Sequence, residues 1–227
     1  MIFNNRAEAA YALADKLKEY KGKHPLILAI PRGAVPMAKI IADKLGGSFD
    51  VVLVRKLRAP DYQELAIGSV DESGWTYIAD YAASVGADSA YIEAEKKIQL
   101  DIIKKRRAQY TPIRPHINPT GRIVIVIDDG LATGATMISA LHGLHNQKVA
   151  KLICAVPVSP PATLKKVAEL VDELVCLSAP NDFHAVGQFY LNFPQVEDEE
   201  VIEILQSAQQ PPINVNMYES HSQAPYT

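Results

Sequence analysis

Cysteine, excess charge and long apolar runs are all scarce in this chain, and each shortage removes a class of protein. Only two cysteines, Cys154 and Cys176, occur among 227 residues, too few for a disulfide framework. Both lie in apolar, strand-like runs and read as buried thiols suited to a reducing, cytoplasmic setting, although the one pair could in principle bridge. The formal net charge is −3 and the isoelectric point about 6.1, which argues against a broad nucleic-acid footprint. No apolar run reaches membrane-spanning length, and Met1 leads directly into a capped helix pattern instead of a signal peptide, so no membrane partner is expected. Two nucleotide signatures are missing as well. There is no GxxxxGK[ST] and no GxGxxG at the loop described next, which makes nucleoside triphosphates and NAD poor candidates.

What is present is concentrated between Ile123 and Thr136, IVIVIDDGLATGAT. Five β-branched residues, Ile123 to Ile127, suit a central strand of a parallel sheet with both faces covered. Asp128 and Asp129 follow at its carboxyl end, the edge where ligands bind in doubly wound sheets. Ala132, Thr133, Gly134, Ala135 and Thr136 come next, small residues and hydroxyls that let backbone approach a ligand closely. Met137, Leu141 and Leu144 then recur at helical spacing, so the loop opens a helix whose free N–H groups favour a dianionic phosphate. Either half alone would read as solvated acids or an ordinary turn; their union in one uninterrupted segment reverses that judgement.

The flanks supply companions. Asn5 with Glu8 predicts a helix cap, with Ala9, Leu13 and Leu17 as the buried stripe. Pro25 to Ile30 reads as a strand, followed by the tight loop Pro31, Arg32, Gly33 and a helix buried through Val35, Ala38, Ile41 and Leu45. Arg32 brings charge and Gly33 close backbone approach at a helix start, a second phosphate site or simply a turn with a solvated arginine. Phe49 to Val54 reads as the next strand, and Arg55, Lys56 and Arg58 as an irregular basic segment leaving its edge. Leu65 to Val70 and Trp75 to Ala79 predict a hairpin. Asp88 to Tyr110 predicts a long helix with Tyr91, Ala94, Ile98 and Ile102 as its apolar stripe and a solvated basic end, Lys104 to Arg107. Two further βα units complete an α/β, Rossmann-like parallel sheet with helices on both faces. One domain over residues 1–205, carrying an insertion at about 65–119, and a polar tail over 206–227 follow.

The signature segment resembles that of the type I phosphoribosyltransferases, whose donor is 5-phosphoribosyl 1-pyrophosphate (PRPP). The resemblance extends to a group of predicted phosphoribosyltransferases of unassigned acceptor, through RKL, ELAIGSV, YIEAE, DDGLATGATM, VGQFY and QVEDEEV, spread from Pro31 to Ile204. It implies a phosphoribosyltransferase core. Asp128 and Asp129 would be the ribose carboxylates, also holding Mg2+ directly or through water, and Ala132 to Thr136 the 5-phosphate loop. It further implies a pyrophosphate loop at Arg32 and Gly33 with strain or a cis bond between Pro31 and Arg32, and a flexible catalytic loop in which Lys56 and Arg58 act while Arg55 binds pyrophosphate.

The implied reaction is Mg-dependent transfer of the phosphoribosyl group to a nitrogenous small-molecule acceptor, in a homo-oligomer, a dimer in the simplest case. Departures bear on the acceptor. Ala132 stands where the 6-oxopurine enzymes carry an acid, and Pro157 where they carry a lysine, which disfavours hypoxanthine and guanine. VGQFY resembles their base-contacting segment, so Phe189 or Tyr190 is either a stacking surface for the acceptor or a core anchor. His184 could serve as acid or base, while His142 and His145 lack a third ligand for a metal. A PRPP-binding regulator without transfer, and a hydrolase, are the competing readings.

Overall fold

The computed structural model describes residues 1–62, 64–113 and 115–207. Its first helix, α1 (Arg6–Lys16), starts where Asn5 Oδ1 accepts the Glu8 N–H at 3.0 Å, as the cap pattern predicts, and buries Ala9, Ala10, Leu13 and Ala14. Strand β1 (Leu26–Ala29) leads into α2 (Ala34–Leu45) and β2 (Ser48–Val51). After an inserted lobe come β6 (Ile123–Ile127), α4 (Ala135–His145), β7 (Lys151–Val158), α5 (Pro161–Ala168), β8 (Glu173–Ser178) and α6 (Asp198–Ser207). The last helix takes in residues 206 and 207 of the expected tail; residues 208–227 lie outside those described.

The main sheet is parallel, in the order β2-β1-β6-β7-β8. Its strands alternate as a doubly covered sheet must. Ile27, Ala29, Ile125, Ile127, Ile153 and Ala155 join Leu13, Ala38 and Ile41 of α1 and α2 in one core. Leu26, Leu28, Val124, Val126, Leu152, Cys154 and Val156 join Met137, Leu141, Leu144 and Val167 of α4 and α5 in the other. Each buried Val, Leu, Ile or Met among them contributes about 1.5–3 kcal/mol relative to exposure. The order also creates a switch point: from β1 the chain turns towards β2, and from β6 towards β7, so a crevice opens between the carboxyl ends of β1 and β6.

The inserted lobe is a three-stranded antiparallel sheet, β3 (Val54–Arg58), β4 (Ala66–Asp71) and β5 (Thr76–Ile78), followed by α3 (Ser89–Tyr110). Two expectations are corrected here. The strand expected over Phe49 to Val54 is two strands in different sheets, because β2 ends at Val51 and Val54 opens β3. Arg55, Lys56 and Arg58 therefore sit in a paired strand, opposite Val70, Ser69 and Ala66, and not in an irregular loop. Hydrophobic Val54 and Leu57 anchor that strand, both buried.

The buried face of α3 carries Glu95, Gln99 and Ile103; Ala94 is exposed and Ile98 is 55% exposed. Polar groups face inward there because β3 needs acceptors: Arg55 Nε donates to Gln99 Oε1 at 2.5 Å and Arg58 N–H to Glu95 Oε1 at 3.2 Å. The basic end of α3 is only half solvated. Arg107 donates to Glu72 and to the Val51 carbonyl, and Arg106 lies 3.4 Å from Asp198. Among the described residues no helix is long and apolar enough to cross a membrane.

Candidate active site

Two loops meet over the switch point. From β1, the chain passes through a cis peptide between Pro31 and Arg32, as the resemblance implied, and Gly33 N-caps α2. From β6 it passes through Asp128 and Asp129 into the loop that N-caps α4 with Gly134. Between them lies a cleft of about 270 Å³. It is lined by Arg32, Gly33, Lys56, Asp128, Asp129, Ala132, Thr133, Gly134 and Thr136, together with Val186. Lys56 on β3 and residues singled out from sequence on the loops after β1 and β6 are thus brought to one cavity.

The loop from Ala132 to Thr136 is held open by backbone geometry. Gly134 adopts φ 78°, and a Cβ there would stand 2.7 Å from Thr163 Cγ2, so only glycine fits without displacement. Thr163 Oγ1 in turn donates to the Ala132 carbonyl at 2.6 Å, and Thr133 Oγ1 accepts the Ala135 N–H at 3.4 Å. The first-turn amides of α4 lack intrahelical partners and bring the positive end of the helix dipole to the cleft. Ala135 itself is buried; its carbonyl accepts the Ser69 hydroxyl at 2.6 Å, tying the loop to β4.

The acid pair is electrostatically divided. Burial, then the neighbouring charge of Asp129, pushes the Asp128 carboxyl well above the usual carboxylate range; its Oδ1 accepts the Asp129 N–H at 2.9 Å, which opposes that shift, as does Lys56. Asp129 is also raised by burial, opposed chiefly by Arg6, whose Nε donates to Oδ2 at 2.9 Å. Gly33 is where Asp129 lodges: a Cβ there would lie 2.1 Å from Oδ2. The Arg32–Gly33 loop and the acid pair thus pack directly on each other.

The basic residues divide between two cavities. Lys56 lines the cleft and, with Thr136, an adjoining cavity of about 310 Å³ that also holds Arg55, Arg58, Arg106 and Glu64. Burial and the nearby charges of Arg106 and Arg58 lower the Arg55 pKa, the mark of crowded cations. Arg32 Nη1 donates to Glu197 Oε2 at 3.2 Å and stands 3.8 Å from Asp198.

Phe189 and Tyr190 are not brought to the cleft. Each is 6% exposed; Phe189 packs on Phe183, and Tyr190 on Phe3 and Phe193, with its hydroxyl donating to the Asp129 carbonyl at 2.6 Å. Val186 from the same segment lines the cleft in their place. His184 pairs with Asp182 at 3.0 Å, with side chains 83% and 88% exposed, and does not line the cleft. His142 stacks on Trp75 at 3.6 Å. Sequence reasoning missed Arg6, Glu197 and Asp198 as neighbours of the site; Arg6 lies 123 residues from its acid partner, and no local pattern signals such a contact. Among the described residues no cluster of three or more His, Cys, Asp or Glu side chains is disposed to hold a metal by protein ligands alone.

Comparison with known proteins gives a consistent result. Two Mycobacterium tuberculosis relatives, named provisionally as phosphoribosyl transferases, are 38% identical over 208 residues, covering 91% of this chain and 47% of their own length. The chain thus spans about half the length of these curated relatives. A Thermus thermophilus protein of known crystal structure is 40% identical, with a TM-score of 0.76, over 91% of this chain and 99% of that one. The sequence profile of the phosphoribosyl transferase domain matches residues 1–194, and the chain belongs to that family.

Proposed function

We propose that this protein transfers the 5-phosphoribosyl group of PRPP to a nitrogenous small-molecule acceptor, a nucleobase or amine, and releases pyrophosphate. The observation that carries the proposal is the convergence of the acid pair, the α4 phosphate cradle and the Arg32–Gly33 loop on one cleft. The spacing suits a donor with an anion at each end: the cradle takes the 5-phosphate, the acids face the ribose hydroxyls, and Arg32 with Lys56 faces pyrophosphate.

The donor set fits Mg2+ in the form that ion prefers, one or two carboxylates plus substrate oxygens, and Asp128 and Asp129 would hold it, directly or through water. When bound, Mg2+ neutralises charge on the pyrophosphate oxygens. As the ribosyl C1–O bond breaks, positive charge grows on the sugar beside the acids, and negative charge on the leaving group beside Arg32 and Lys56. Arg55 and Arg58 in the adjoining cavity extend that positive field. The acceptor nitrogen attacks the opposite face of C1, and its position, fixed by binding, supplies much of the rate.

Ala132 and Pro157 disfavour hypoxanthine and guanine as acceptors. Ala132 lines the cleft without an acid to serve a base nitrogen, and Pro157 is buried in β7 without a donor. The deciding experiment is pyrophosphate release from PRPP and Mg2+ across a panel of nucleobases and amines. Release that depends on one acceptor supports transfer, release without acceptor identifies a hydrolase, and tight PRPP binding with no release under any condition identifies a regulator.

A further inference from the structure

Arg6 stands outside every motif that pointed to the site, yet its side chain ends on the acid pair. Nε donates to Asp129 Oδ2 at 2.9 Å, and Nη2 lies 2.8 Å from the same oxygen. Nη1 donates to the Pro194 carbonyl at 2.6 Å, and the guanidinium lies 3.8 Å from the centre of the Phe193 ring. The planar fork therefore joins α1, the end of β6 and the segment that leads into α6.

Backbone bonds hold the same parts together. Phe3 N–H donates to the Phe189 carbonyl at 2.8 Å, Leu191 N–H to the Phe3 carbonyl at 2.8 Å and Asn192 N–H to the Asn4 carbonyl at 3.0 Å. Tyr190 Oη holds the Asp129 carbonyl, and Gly33 receives Asp129 Oδ2 at its Cα. Oδ2 is thus lodged between a guanidinium and a glycine, and any contact Asp129 makes to a ribose hydroxyl runs through Oδ1. The pair is shielded from water, with side chains 12% and 15% exposed, so it is not one of the surface ion pairs that contribute little.

We propose that Arg6 is a positioning residue for phosphoribosyl transfer: by occupying Oδ2 it turns Asp129 so that Oδ1 meets the donor ribose, in register with the pyrophosphate loop. The inference rests on the reading of the cleft as a PRPP site. A plain staple between the segment before α1 and the segment before α6 would act on stability alone; a positioning residue acts on the donor, and only through Asp129.

The test is a double-mutant cycle read by calorimetry of PRPP with Mg2+, using Arg6→Gln, Arg6→Lys, Asp129→Asn and the combined variants of Asp129→Asn with each Arg6 substitution. Arg6→Gln is expected to weaken PRPP binding about tenfold. Arg6→Lys, which keeps charge but not the fork, recovers part of the loss. In the Asp129→Asn background Arg6→Gln adds no further loss. Unchanged affinity in Arg6→Gln, or losses that simply add in the combined variant, overturns the inference while leaving the PRPP site standing. Failure of the wild-type protein to bind PRPP overturns both. If Arg6→Gln does not fold, Arg6→Lys carries the same cycle: a loss present with Asp129 and absent without it supports positioning, and any other result refutes it.

Discussion

Gly33 shows how much one residue can settle. Its Cα lies so close to Asp129 that a methyl group would fall 2.1 Å from Oδ2, a separation that forces either the loop or the acid to move. Gly33→Ala is therefore expected to cost roughly 1–3 kcal/mol of stability, read from the denaturant midpoint, and to weaken PRPP binding along with it. Lys56 makes a different prediction because the proposed reaction puts it beside the leaving group. Lys56→Ala should lower kcat on the order of a hundredfold while changing donor affinity far less, and single-turnover kinetics beside calorimetry separates the two. An equal effect on both would place Lys56 in ground-state binding instead. At this scale the sequence was informative wherever a residue worked with its neighbours, as in Asp128, Asp129 and the loop to Thr136. It was silent on Arg6 and Val186, whose roles depend on contacts across the fold.

Elements explain why the basic strand sits where it does. β3 sets buried Val54 and Leu57 among Arg55, Lys56 and Arg58, a run read from sequence as a charged loop. It is a strand because β4 pairs with it and α3 offers Glu95 and Gln99 as buried acceptors. Gln99 Nε2 also donates to Glu95 Oε1 at 2.9 Å, closing the network. Gln99→Leu would strip Arg55 Nε and Glu95 of a partner, and a loss of about 1–3 kcal/mol in chemical unfolding is the expected result. Of the stripe read at Tyr91, Ala94, Ile98 and Ile102, Tyr91 packs on the core while Ala94 and Ile98 are exposed, because apolar periodicity assumes an apolar neighbour and the side of α3 that meets β3 instead supplies acceptors.

The segment between α3 and β6 gives a pH prediction. His116 Nδ1 lies 3.2 Å from buried Asp50 Oδ2, and that hydrogen bond, opposed by burial, raises the His116 pKa. A raised folded-state pKa means the stabilisation is complete below the unfolded value of about 6.5 and is lost as pH rises through the higher folded value. The urea midpoint should fall over that window in the wild-type protein. The fall should be smaller in His116→Gln.

For the whole molecule the decisive feature is strand order. Because β1 and β6 are hydrogen-bonded neighbours whose chains leave in opposite directions, loops nearly a hundred residues apart open onto one cleft. PRPP with Mg2+ should therefore protect amides of residues 31–36 and 130–137 together in hydrogen exchange and leave those of β8 unchanged. Protection of one loop without the other would break the two-ended donor site. The sequence by itself determined the parts that local chemistry dictates: the β-branched strand, the two acids at its end, the glycine-bearing loop and the helix it opens. Periodicity and short-range bonding suffice for these, because each depends on residues a few positions apart. Tertiary structure alone decided that Asp129 shares Oδ2 with Arg6 and Gly33, that Phe189 and Tyr190 are core while Val186 faces the cleft, and that the basic run is a strand backed by a polar helix face. Those outcomes depend on which surfaces meet, and the energy of a buried charge is set by the partner it meets there.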